Sequence, residues 1–325
     1  MTPVLGVGLL EAAVDNLASP PVLAFVLGLV AVRLGAGLSF PPAFGSLLSA
    51  YLLLAIGLKG GGQLRSAELG DLAGPAIATL LLGLAIPLAV YVVLLRRGRF
   101  SVVDAASLAA HYGSVSAVTF TAAVAFVERA GEPSEAFLPA LLALLEVPAI
   151  VVALALAARA RLGTDLRAAV REALTGKSVV LLVGGLVIGV VSGPDGLASV
   201  APVFVAPFLG VLVLFLLDLG GTAGERLAEV RKAGGFLVGF ALAAPVVQGT
   251  AGVAAGTLAG LSVGGATVLG VMAASASYIA APAAVRVGLP DANLGLALTA
   301  AVGITFPFNL VVGIPGCYLL ASALG

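Results

Sequence analysis

Two short stretches carry the residue types that could do chemistry. His111, Tyr112, Gly113, Ser114, Val115, Ser116, Ala117, Val118 and Thr119 stand in the middle of one long apolar segment. Ala274, Ser275, Ala276, Ser277, Tyr278, Ile279, Ala280, Ala281 and Pro282 stand in the middle of another. Small residues and hydroxyls at such positions suit an interrupted helix. In hydrocarbon every N–H and C=O needs a partner, so irregular backbone is tolerated only where it lines a cavity or is buried in protein. A helix that stops and restarts bares the N–H groups of its second half, and these groups with the helix dipole favour an anion. Gly113 and Pro282 are the expected break points, and Ser114, Ser116, Thr119, Ser275 and Ser277 add hydroxyl donors. Tyr112 and Tyr278 close the site or pack beside it. The competing role for each hydroxyl is a bond to the carbonyl four residues back in its own helix.

Ionisable groups inside apolar spans are costly and mark functional positions. Glu146 lies mid-span beside Pro148, whose ring frees the carbonyl of residue 144. A carboxylate beside a free carbonyl could hold Na+; a proton, or a packing role with the carboxyl bonded to serine or backbone, fits the same position. Asn309, beside Pro307, is the rough counterpart of this region in the second half and offers a neutral oxygen. Asp104 completes the candidate ion ligands, and its place near a helix start also suits the positive end of that helix. Gln248 fits an interhelical hydrogen bond. His111 is the only histidine and Cys317 the only cysteine, so neither a resident metal nor an internal disulfide is expected. His111 fits a buried core position or a proton relay. His-Glu-x-x-His, Gly-x-Ser-x-Gly and a complete Gly-x-x-x-x-Gly-Lys-Ser/Thr loop are missing, which points away from an enzyme and from an ATP-driven pump.

The elements that must position these residues are membrane helices. The chain is 61% hydrophobic and 10% charged, against about 25% charged in soluble domains, and its mean hydropathy is +1.19. Leu72–Leu95 is 24 residues without a charge and Ala233–Val285 is 53, where one span needs about 20. Net charge is zero, so no basic field for nucleic acid is present. The pattern predicts ten spans, near 19–36, 41–58, 72–95, 101–127, 136–158, 178–192, 201–218, 234–257, 263–286 and 294–323. Residues 1–18 read as a short surface helix rather than a cleaved signal, 59–71 as an amphipathic loop helix, and 159–177 and 225–232 as polar links. Gly60, Gly61 and Gly62 read as a flexible helix end, Glu146 and Pro148 as an interruption of span five, and Asp218 as a water-facing end of span seven.

The chain also reads as one unit written twice. Gly113-Ser-Val-Ser116 aligns with Ala274-Ser-Ala-Ser277 at an offset of 161 residues, and Arg65-Ser-Ala-Glu68-Leu69 aligns with Arg226-Leu-Ala-Glu229-Val230 at the same offset. Five spans per unit is odd, so the second unit must cross in the opposite sense, as in many secondary transporters with a site at the repeat interface. The units are 1–158 and 178–325 in one membrane domain, joined by a cytoplasmic linker, 159–177. Lys and Arg gather after odd-numbered spans, 13 of the 16 in the chain. This puts those loops in the cytoplasm and both termini outside the cell (inner) membrane. The expectation is an all-α polytopic membrane protein that carries a small inorganic anion, with spans four and nine broken and facing each other. A proton-coupled carrier and a membrane sensor that binds an anion without moving it are the competing readings.

Over nearly its whole length the sequence resembles the sodium-dependent bicarbonate transporter family. The likeness rests on Ile56-Gly-Leu-Lys-Gly-Gly61, Val103-Asp104-Ala105, Ser114-Val-Ser116 with Thr119, Glu146-Val-Pro148-Ala149, and Ala273-Ala-Ser-Ala-Ser277 through Pro282, Arg286, Gly288, Pro290 and Asn293. The resemblance implies ten helices in two inverted five-helix units, a core and a gate that move like an elevator, and a homotrimer. It also implies Na+ as coupling ion and a bicarbonate site between spans four and nine. The chain departs from the family pattern where Tyr278 replaces an acidic residue, where Ala117 and Val118 follow Ser116, and where the loop after span five is short.

Overall fold

The computed structural model describes residues 14, 16–36, 40–65, 69–159, 166–230 and 234–325. The described residues are helical, with no strand among them. In chain order the helices are α1 (Pro20–Arg33), α2 (Pro42–Leu64), α3 (Leu69–Arg96), α4 (Val102–Gly113), α5 (Ala117–Arg129), α6 (Leu138–Arg159), α7 (Leu166–Thr175), α8 (Lys177–Phe204), α9 (Phe208–Val230), α10 (Gly235–Leu258), α11 (Val263–Ala274) and α12 (Ala280–Gly288). A last helix, α13 (Leu294–Leu324), widens into π-helical turns at Thr299–Thr305 and Asn309–Gly313.

Eight segments are long and apolar enough to cross a bilayer, with the broken pair Val102–Arg129 counted as one. At the other two predicted positions lie α1 and α11, apolar but only 14 and 12 residues long. The expected N-terminal surface helix falls mostly outside the described residues, as do 66–68, 160–165 and 231–232 within the three predicted links.

Small residues decide how the helices pack. α2 lies along α8 with almost no side chain between them: a Cβ on Gly61 would sit 3.0 Å from the Gly189 Cα, and one on Gly185 would sit 3.0 Å from the Gly57 Cα. α1 meets α9 the same way, with a Cβ on Gly28 falling 2.9 Å from the Gly221 amide nitrogen. Without water to drive helices together, such close approach is what membrane packing offers. α1, α2, α8 and α9 thus form one group. α3 packs on α4 and α6, α5 packs on α11, and α11 packs on α10 and α13, forming a second group.

Several local expectations are corrected. Gly60, Gly61 and Gly62 are helical and tightly packed, not a flexible end. Residues 59–71 form no separate loop helix, since α2 runs to Leu64 and α3 starts at Leu69. Gly193, at φ 65°, kinks α8 where the sequence predicts a loop, and the helix continues to Phe204. The polar link 159–177 contains α7, whose Arg167 and Arg171 are exposed. Asp218 lies in the middle of α9, facing Gly45 of α2. α6 passes Glu146 and Pro148 without a break.

Candidate substrate site at two helix breaks

Each break begins with a well-made helix start upstream. Ser101 caps α4 by accepting the Asp104 amide at 3.0 Å, and Ser262, 161 residues later, caps α11 by accepting the Gly265 amide at 3.1 Å. α4 stops at Gly113, where Pro87 of α3 and Ala149 of α6 press in; a Cβ there would lie 2.8 and 2.9 Å from their side chains. Ser114 leaves the helix in extended conformation, and Ser116 starts α5 by accepting the Thr119 amide at 3.1 Å. α11 stops at Ala274, Ser275 is extended, and Ser277 accepts the Ala281 amide at 3.1 Å to start α12. Pro282 is therefore not the break itself. It lies in the first turn of α12, where a missing N–H leaves no helical bond unmade.

The two breaks touch. The Ser277 amide donates to the His111 carbonyl at 2.7 Å, and the Ser116 amide donates to the Ser275 hydroxyl at 2.9 Å. Ser275 passes its own proton to the Met272 carbonyl at 2.8 Å, and Ser114 donates to the Glu146 carbonyl at 3.0 Å. These groups are closing helix ends, which leaves the first amides of α5 and α12, at Ala117, Val118 and Ala280, without hydrogen-bond partners among the described residues. Ser116 and Ser277 both accept from the backbone, and Ser116 faces the Tyr278 hydroxyl. Thr119 is buried beside them in the first turn of α5.

Between the two helix starts is a small cavity of about 10 Å³, lined by Ser116, Ala117, Glu146, Ser178, Ser277 and Tyr278 among others, room for about one water. Tyr278 sets its ring edge-on to Phe306, with centroids 5.9 Å apart, and buries its hydroxyl without a well-formed bond. Glu146 is 5% exposed, and the ion pair of Lys59 with Glu128, at 2.9 Å, lies elsewhere.

Not every sequence candidate is brought here. Asn309 Nδ2 donates to the Ala274 carbonyl at 2.8 Å, bracing the second break as α6 braces the first, but it does not line the cavity. Its Oδ1 is buried without a partner. Asp104 stays at the start of α4, accepting from the Ser101 hydroxyl at 2.7 Å and the Asn293 amide at 2.9 Å. His111 Nδ1 donates to the Ser107 carbonyl at 2.7 Å, leaving Nε2 buried and unpartnered. Tyr112 donates to Thr305, which donates to the Ala241 carbonyl, both at 2.7 Å, a packing chain rather than a site wall. The sequence reading missed Ser178, which lines the cavity, and Glu135, whose carboxylate accepts the Ser262 amide at 2.5 Å at the head of α11. A lone serine at a span start and a glutamate in a polar loop carry no signal of their own.

The family model for the Na+-dependent bicarbonate transporter superfamily matches residues 20–322. The chain belongs to that superfamily. Both helix breaks, Glu146 and Asn309 all fall inside the matched region. A comparison with individually curated proteins found no match.

Proposed function

We propose that this protein is a secondary active transporter that moves bicarbonate or a similar small anion together with Na+, using two inverted five-helix repeats. The observation that carries the reading is the cavity where α5 and α12 start: Ala117, whose amide is the first free one of α5, lines it together with Ser116, Ser277 and a buried carboxylate, Glu146. The donors favour an anion. A charged Glu146 opposes one, since like charges about 5 Å apart repel by roughly 3 kcal/mol at an effective dielectric near 20. A cation bound beside Glu146 removes that opposition, so anion and cation bind better together than apart, and linkage makes the effect reciprocal. That is the thermodynamic core of symport. The repeats are supported by the offset of 161 residues, which relates the Ser101 and Ser262 caps, the Ser114 and Ser275 exits, and the Ser116 and Ser277 starts.

The test is uptake of labelled bicarbonate into proteoliposomes with and without an inward Na+ gradient. Accumulation only with the gradient is expected; gradient-independent equilibration of every small anion tried would sink the coupling. A second reading, proton coupling, is favoured by the same residue, because a proton on Glu146 cancels the charge as well as Na+ does. Uptake driven by a pH gradient alone, without Na+, would select it.

A further inference from the structure

The cavity has a wall that neither helix break supplies. Ser178, in the first turn of α8, is 3% exposed and lines the cavity with Ser116 and Ser277, yet α8 belongs to the other helix group. Its hydroxyl makes no hydrogen bond among the described residues: as the second residue of α8 it has no carbonyl four residues back in its own helix to accept its proton. Thr79, Thr121, Thr175, Thr250, Thr267 and Ser322, set deeper in their helices, do bond back, at 2.7 to 2.8 Å. α8 also starts on Gly176, which offers no side-chain cap, so its first amides are free as well.

The geometry points to Ser178 as a substrate-contacting and specificity-determining residue: it supplies a hydrogen-bond donor to the bound anion from α8, across the boundary between the two helix groups. This rests on the carrier reading and adds to it. The breaks alone would give an anion site that rides with one helix group. Ser178 makes the bound anion bridge both groups, so full affinity exists only while the groups are juxtaposed, as they are at this cavity.

The test is initial-rate bicarbonate uptake by the full-length protein in proteoliposomes, comparing wild type, Ser178→Ala and Ser178→Thr. Loss of one donor to a charged group should raise KM about tenfold in Ser178→Ala, with kcat little changed and Ser178→Thr restoring KM. In a Ser178→Cys, Cys317→Ala background, bicarbonate should slow alkylation of the new thiol, and chloride at equal ionic strength should not. A working wild type with KM unmoved in Ser178→Ala and alkylation unaffected by bicarbonate would overturn the inference while leaving the carrier reading standing. A wild type that carries no small anion removes both.

Discussion

The amide of Ser277 donates to the carbonyl of His111 at 2.7 Å, joining residues 166 positions apart at the point where both broken helices stop. With the Ser116 to Ser275 bond at 2.9 Å it ties the end of each first half to the start of the opposite second half. Ser275→Ala removes an acceptor and leaves the Ser116 amide buried and unpaired, at a cost of about 1–3 kcal/mol. The expected result is a lower melting temperature in detergent together with weaker anion uptake.

Glu146→Gln should separate binding from coupling. The neutral amide no longer opposes the anion, so exchange of bicarbonate across the vesicle membrane persists while accumulation driven by the Na+ gradient is lost. Counterflow and gradient-driven uptake measured on the same vesicles check this. Retained accumulation in the variant would place the coupling ion at another residue.

Gly61→Leu should be among the most damaging single changes outside the site. Its Cβ alone would meet the α8 backbone, with Gly189 Cα 3.0 Å away, and overpacking of this kind costs about 1–3 kcal/mol or more. Thermal stability and the yield of monodisperse protein after purification measure it, and Gly70→Leu, where a Cβ meets nothing within 4 Å, is the control.

Lys59 and Glu128 make an ion pair, but their side chains are 43% and 47% exposed. Solvated pairs contribute less than about 1 kcal/mol. Lys59→Ala should therefore leave the melting temperature nearly unchanged. The pair borders a cleft of about 510 Å³ between α2, α5 and the α8–α9 turn, so salt-dependent changes in uptake rate are the sensitive readout there.

Glu135→Ala should weaken the head of α11 by about 1–3 kcal/mol, because the Ser262 amide loses its acceptor. Hydrogen exchange should then rise first in the opening turn of α11, with the start of α4 unaffected.

The helix breaks were legible because Ser114, Ser116, Ser275 and Ser277 are polar where lipid demands apolar residues, and because they repeat at one offset. The membrane class was legible from charge-free length alone. Gly60–Gly62 misled because glycine ends helices in water but lets them approach in a bilayer, and only a partner helix distinguishes the two. Pro282 misled because a proline marks a helix start as readily as a break. Asp104 and Asn309 are polar for reasons the chain resolves only in three dimensions: one holds the α12–α13 loop, the other the end of α11. Ser178 had no sequence signal, since its role depends on which helix faces it.

The donors left free at Ala117, Val118 and Ala280 are peptide groups, not side chains. No codon change short of proline can delete them, and they do not titrate. On the proposed function, the ion carried is retuned only by altering what surrounds a fixed constellation: the hydroxyls, the carboxylate and Tyr278. Variants of this chain at those side chains should keep a preference for negative guests while differing in the size and partner ion each accepts.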